Sequence, residues 1–230
     1  SMDIRILYED NHLLIVEKPV NVPVQQDISK DLDLLTMLKR YIKETYDKKG
    51  NVYLSLVHRL DRPVGGIILF AKTSKAASRM SDLLRRRQLE RTYVAIVRGN
   101  VRKERDTLSD YLLKDRRKNQ VYVVTKDTKN AKRAILHYET LARSKNLSLL
   151  KVMLETGRSH QIRVQLSEIG HPLYGDQKYG ATWNKVGEQL ALWAYELSFI
   201  HPVRRKRLSI RSMPPNVFPW NQFQINKNEI

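Results

Sequence analysis

Short apolar runs and stretches of alternating apolar and polar positions recur along this chain, and both predict strands. Ile4 to Tyr8 and Leu13 to Glu17 read as short strands around the polar turn Glu9-Asp10-Asn11. Pro19 and Pro23 then interrupt regular structure. Leu32, Leu35, Leu38 and Ile42 recur at helical spacing, which predicts an amphipathic helix over Leu32 to Tyr46. Val52 to Val57 is a strand-like apolar run, and Ile67 to Ala71 reads as a buried strand. A second helix follows, with Ser74 as its expected N-cap and Ala77, Met80, Leu83 and Leu84 on one face. Thr92 to Val97, Val121 to Thr125, Ala134 to Leu141 and Leu147 to Leu154 then alternate as antiparallel strands. His160 to Ile169 fits a helix stopped by Gly170 and Pro172, and Leu190 to Phe199 and Leu208 to Ile210 complete the sheet.

Strands dominate, and the helices are interspersed without βαβ regularity. The expected fold class is therefore α+β with a mostly antiparallel sheet. No linker rich in Pro, Ser or Gly, no repeat and no low-complexity tract marks a boundary, so residues 1–230 are expected to form a single domain.

Charge narrows the function. Lys and Arg total 42 against 24 Asp and Glu, a formal net charge of +18. Such an excess repels itself in a folded chain and points to a polyanionic partner. The cations cluster at Arg85 to Arg87, at Lys114 with Arg116 to Lys118, at Lys129 with Lys132 and Arg133, and at Arg204 to Arg207. A membrane surface is the weaker partner, because no segment pairs a basic helix face with bulky apolar residues opposite it. No apolar run is long enough to span a bilayer. Charged residues from Asp3 to Asp10 exclude a signal peptide at the start, where Ser1 ahead of Met2 reads as a remnant of cloning. The chain has no cysteine, which excludes disulfides and thiolate metal sites and fits a cytoplasmic protein.

Two stretches carry candidate chemistry. In Leu56-Val57-His58-Arg59-Leu60-Asp61-Arg62 a carboxylate sits between arginines, just before the turn Pro63-Val64-Gly65-Gly66. Taken alone, this pattern describes an Asp in a salt bridge with its neighbours. Roughly a hundred residues later stands Thr156-Gly157-Arg158-Ser159-His160-Gln161-Ile162-Arg163. Together the two stretches resemble the HRLD and GRxHQIR motifs of RluA-type pseudouridine synthases. The resemblance runs from about Tyr8 to Pro202, with further support from Lys18-Pro19, Tyr93 to Gly99, Gly175-Asp176, Tyr179-Gly180 and His201-Pro202.

The resemblance implies a bifurcated mixed sheet with flanking helices and a central catalytic cleft, and isomerisation of uridine to pseudouridine in ribosomal or transfer RNA. It implies Asp61 as the reactive carboxylate, acting as nucleophile or base on the sugar. Arg163 is the cation that keeps it ionised, because burial alone raises a carboxyl pKa and a guanidinium within reach lowers it. Tyr93 stacks beneath the uracil and assists removal of the C5 proton, and Ile162 forms an apolar wall. Arg62 contacts phosphate or fills the gap left by a flipped base. His58 and Lys18 complete the expected substrate contacts. No group enters or leaves in the reaction, so no cofactor is expected, and His160 with His171 are not taken as metal ligands. A monomer acting on structured RNA is the implied form, without the S4 RNA-binding domain common in the family.

Departures from the family pattern are Pro63 to Gly66 in place of Thr-Ser-Gly, Arg91 in place of Lys, and Gln165 and Trp193 where His is common. They bear on substrate choice rather than on the Asp and Arg. Two other classes remain. One is a catalytically inactive RNA-binding or assembly factor of the same fold, which has no use for a carboxylate in a cationic cleft. The other is an N-glycosidase, which needs a second acid to activate water. Glu155 is the nearest candidate for that acid.

Overall fold

The computed structural model describes residues 3–225 and 230. Its contacts divide the chain into two compact units, residues 1–90 with 194–212 and residues 91–193 with 213–230. Two of the three crossings fall inside strands, between Glu90 and Arg91 and between Trp193 and Ala194, and the third lies between Ser212 and Met213. A boundary placed inside a strand leaves no linker composition for the sequence to display.

The first unit holds β1 (Arg5–Glu9), β2 (Leu13–Lys18), α1 (Leu34–Thr45), β3 (Ser55–Leu56), β4 (Gly65–Ala71) and α2 (Ser74–Arg85). It also takes most of β10 (Leu192–Ile200), with β11 (Arg207–Arg211) beside it. The strand order is β1-β2-β4-β10, with β3 added to β4 and β11 to β10. The pairs β1–β2, β2–β4, β3–β4 and β10–β11 are antiparallel. All seven residues of β4 are buried, which explains why it reads as a continuous apolar run. Leu13, Ile15, Ile67 and Leu69 from the sheet close a core with Met80 of α2 and with Leu197 and Phe199 of β10.

Helix starts are set by single oxygens. Asp33 caps α1 by accepting the Thr36 N–H at 3.0 Å, so this helix begins two residues later than its leucine spacing suggests. Thr73, not Ser74, caps α2, through the Ala76 N–H at 3.0 Å. The apolar run from Val52 forms only the two-residue strand β3.

In the second unit β5 (Glu90–Arg98), β9 (Leu147–Leu154), β8 (Lys132–Ser144), β6 (Arg105–Asp115) and β7 (Gln120–Val124) lie side by side in that order, all antiparallel. Strand β6 is absent from the sequence reading. Its inward positions alternate Leu108, Asp110, Leu112, and the carboxylate at the middle one breaks the apolar period. Helix α3 (Gln161–Glu168) packs Val164 against Leu112, Val121 and Ala134 of the sheet. It stops where expected: Gly170 takes φ +85°, and the His171 N–H returns to the Leu166 carbonyl.

Candidate functional site

Asp61 lies in a turn fixed from several directions. Its carbonyl accepts the Val64 N–H at 2.9 Å. The next carbonyl, that of Arg62, accepts both the Asn21 N–H and the Lys18 ammonium, each at 2.9 Å. His58 Nε2 accepts the Leu69 N–H of β4 at 3.0 Å, just past the point where β3 stops pairing. The imidazole thus replaces one more strand residue and starts the turn. An Nε2 that accepts leaves the ring proton on Nδ1, and the ring neutral. These bonds give His58 a structural task, and the ring is buried.

Gly66 ends the turn at φ +116°, and a Cβ there would lie 2.3 Å from the Ala194 carbonyl oxygen. Only glycine fits this close approach of β4 to a neighbouring backbone. Gly66 is therefore required where the chain leaves the turn that presents Asp61.

Lys18 has no exposed surface. Its ammonium donates to the carbonyls of Pro19 (2.9 Å), Val22 (2.7 Å) and Arg62 (2.9 Å), using all three of its hydrogens. Burial drives its pKa down to about 7; the Asp61 charge opposes this shift and the Arg62 charge adds to it. Expected from the sequence to touch RNA, Lys18 instead knots the loop after β2 to the Asp61 turn, and in this structure it offers RNA no surface. Arg62 is partly exposed. Its guanidinium reaches Asp31 at 2.5 Å, Ser29 Oγ at 3.2 Å and the Asn21 carbonyl at 3.2 Å, with Asp27 at 3.6 Å.

The second motif is built on buried polarity. Residues Gln161 to Leu166 of α3 are all buried, so its polar side chains need partners. Gln161 Oε1 accepts the Thr156 hydroxyl at 2.8 Å and the Arg158 N–H at 2.9 Å, closing the turn before the helix. Gln165 donates to Asp110 at 2.9 Å, which accounts for the carboxylate inside β6. Arg163 grips Asp176 fork-on, Nε to one oxygen and Nη2 to the other, both at 2.9 Å. Burial pushes the Asp176 carboxyl up, but the Arg163 bonds and charge, with the Tyr179 and Lys178 N–H groups, outweigh it and hold the carboxyl below its ordinary range.

Tyr179 completes this cluster. Its hydroxyl accepts the Val121 N–H at 2.9 Å and shares a 2.6 Å hydrogen bond with His160 Nδ1, while its ring lies 5.2 Å from the Arg163 guanidinium. His160 sits in the left-handed region at φ 54° and starts α3 without a side-chain cap. Gly157 serves space rather than backbone freedom, since a Cβ there would meet the Arg91 guanidinium at 2.4 Å. Tyr93 is buried in β5 opposite Val152, and Ile162 is buried on α3. The structure thus gathers Arg163, Ile162 and His160 on one short element. It adds Asp176 and Tyr179, to which the sequence reading gave no role; Gly175-Asp176 and Tyr179-Gly180 were the available signal.

The two motif stretches resemble those of RluA-type pseudouridine synthases, and comparison with known proteins supports that family. Residues 12–168 match the family model described as RNA pseudouridylate synthase, and the chain belongs to that family. It is 34% identical over 203 residues to the uncharacterised RNA pseudouridine synthase YhcT of Bacillus subtilis, covering 87% of this chain and 65% of that protein. It is 30% identical to ribosomal large subunit pseudouridine synthase C of Buchnera aphidicola, covering 90% of this chain and 66% of the relative. The chain therefore spans just under two thirds of the length of these relatives. Its fold is that of human RNA pseudouridylate synthase domain containing 4, with a TM-score of 0.78 at 24% identity over 94% of this chain and 90% of that one. The pseudouridine-synthase fold implied by the motifs is the fold observed.

Proposed function

We propose that this chain isomerises uridine to pseudouridine in structured RNA, ribosomal or transfer, acting in the cytoplasm as a monomer. The observation that carries the reading is the Asp61 turn. The main chain that carries the HRLD carboxylate is fixed by hydrogen bonds to the Asp61 and Arg62 carbonyls, in a chain that belongs to the synthase family.

In this reaction the N1–C1′ bond of uridine breaks and a C5–C1′ bond forms. The C5 proton leaves and N1 gains one, so the atoms balance without a co-reactant. Asp61 acts at the sugar, as nucleophile on C1′ or as base at C2′. Arg163 is the cation of the reaction, the role that the motif resemblance gives it. Its fork to Asp176 uses the Nε and Nη2 edge, and this fixes the plane of the guanidinium before substrate arrives. Tyr93 stacks under the base and helps to remove the C5 proton, and Ile162 walls the pocket. Arg62 reaches RNA by exchanging its contacts with Asp27 and Asp31 for phosphate. His58 and Lys18 serve the substrate indirectly, by holding the Asp61 turn in place.

The test is nucleoside analysis of unmodified ribosomal and transfer RNA transcripts after incubation with the protein. The reading expects pseudouridine. Free uracil would point instead to an N-glycosidase, and unchanged RNA that is nonetheless bound would point to an inactive binding factor.

A further inference from the structure

The sequence scatters its excess cations over four clusters, and the structure treats them differently. In the first unit, Arg85 and Arg86 at the end of α2 both lean on Asp82. Arg204 is held by Asp10 at 3.1 Å, and Arg207 by Ser198 Oγ at 2.9 Å with Glu90 at 4.0 Å. In the second unit the remaining two clusters come together. The β6–β7 hairpin carries Arg116, Arg117 and Lys118 at its tip, and β8 starts beside it, with Lys132 opposite Leu112 and Arg133 opposite Tyr111.

Those five side chains are exposed and form no ion pair among the described residues. The one acid at the tip, Asp115, turns Oδ1 onto the N–H groups of Arg117 and Lys118, at 3.0 and 3.3 Å. It shapes the turn that holds the cations out. Lys114 and Lys178 approach the same tip and bond only neutral acceptors, Ser159 Oγ at 3.1 Å and the Asn119 carbonyl at 2.7 Å.

The hairpin is also latched to the second motif. Lys114 reaches Ser159 in the turn before α3, and Arg158 Nε from that same turn donates to the Arg133 carbonyl at 2.9 Å. A concentration of unpaired like charge costs stability in the free protein, and a polyanion laid across it reverses that cost. We propose that the tip of the β6–β7 hairpin, with the start of β8, is the surface that holds the RNA phosphate backbone next to the Arg163 motif. The inference rests on the RNA reading above and assigns it a place on the molecule. It also ranks this surface above the Arg204 to Arg207 cluster.

The experiment measures binding of a fluorescent 20-nucleotide oligouridine across a salt series. It compares the parent protein, the variant Arg116→Gln/Arg117→Gln/Lys118→Gln, and the variant Arg204→Gln/Arg205→Gln/Arg207→Gln. Each phosphate neutralised on a single strand contributes about −0.7 to the slope of log K against log salt. The hairpin variant should bind at least tenfold more weakly near 0.1 M salt, with a slope shallower by about 2. The other variant should change by less than half as much in slope. Replacing Arg116 and Arg117 by Lys should preserve the slope, because phosphate tracking needs charge rather than a planar fork. A hairpin variant that binds like the parent, with an unchanged slope, overturns the assignment. Pseudouridine formation by the parent, measured alongside, tells that outcome apart from failure of the RNA reading itself, in which the parent neither binds nor modifies RNA.

Discussion

The Lys18 ammonium donates to the Arg62 carbonyl at 2.9 Å from a side chain with no exposed surface, so the loop after β2 and the turn bearing Asp61 are joined through one buried charge. Burial lowers the folded pKa of this lysine to about 7, well below its unfolded value. Between about pH 7 and the ordinary lysine range, near 10.4, the unfolded chain therefore binds more protons than the folded one. Stability gains from this group as pH rises through that window, and the cost of the buried charge is fully present below it. Lys18→Met removes the titration and leaves the three carbonyls without their donor, at a cost of about 1–3 kcal/mol for an unsatisfied group. Urea midpoints measured from pH 6 to 10 should show a flatter pH dependence and a lower midpoint at pH 10 for the variant. Parallel pH curves for the two proteins would deny Lys18 this role.

The Arg163–Asp176 fork changes what an Arg163 variant reports. Arg163→Met strips a fully buried carboxylate of its partner, and breaking a buried pair from one side costs roughly 3–5 kcal/mol. Loss of activity in that variant thus mixes chemistry with stability. Arg163→Lys keeps a charge but not the fork, and should recover most of the stability and little of the turnover. Because the Asp176 carboxyl titrates below its ordinary range, the stability it lends is present above the unfolded carboxylate pKa and is lost as pH falls through the folded one. Asp176→Asn should therefore make the protein less sensitive to acid, as read by thermal melts between pH 3 and 6. Equal acid sensitivity in parent and variant would contradict this.

Two glycines in the motifs should respond in opposite ways to alanine. At Gly66 a Cβ collides with backbone at 2.3 Å, in a conformation with φ +116°. Strain of this kind costs on the order of 1–3 kcal/mol before the clash is counted. Gly157→Ala meets only the movable Arg91 guanidinium. Melting temperatures should fall sharply for Gly66→Ala and slightly for Gly157→Ala, and Arg91→Ala should relieve the second but not the first. A larger drop for Gly157→Ala would mean that Arg91 is not free to shift.

Elements were readable where apolar residues form a continuous run, as in β2 and β4, or repeat on one face, as in α1. Such patterns failed in β6, where Asp110 takes an inward position in order to meet Gln165, a partner 55 residues away. Register that depends on such a long-range polar pair leaves no local trace. The Asp61 and Arg163 motifs stood out in the sequence because their residue types are dense in chemistry. Asp176 lacked any such density around it, and its importance comes from the fork it makes on folding. Lys18 is the opposite case. A lysine beside a proline turn reads as exposed, and only the fold shows three carbonyls converging on it.

Asp61 is the residue proposed to perform the isomerisation. Asp61→Asn keeps the side-chain shape and removes its charge, so the turn, which is held through main-chain carbonyls, should survive. An amide is neither nucleophile nor base toward a sugar carbon. The decisive measurement is pseudouridine formed per protein on a transcript that the parent modifies, with RNA binding followed in parallel. Asp61→Asn should bind RNA like the parent and turn over at least about a thousandfold more slowly. Pseudouridine made by Asp61→Asn at the parental rate would contradict that role for Asp61.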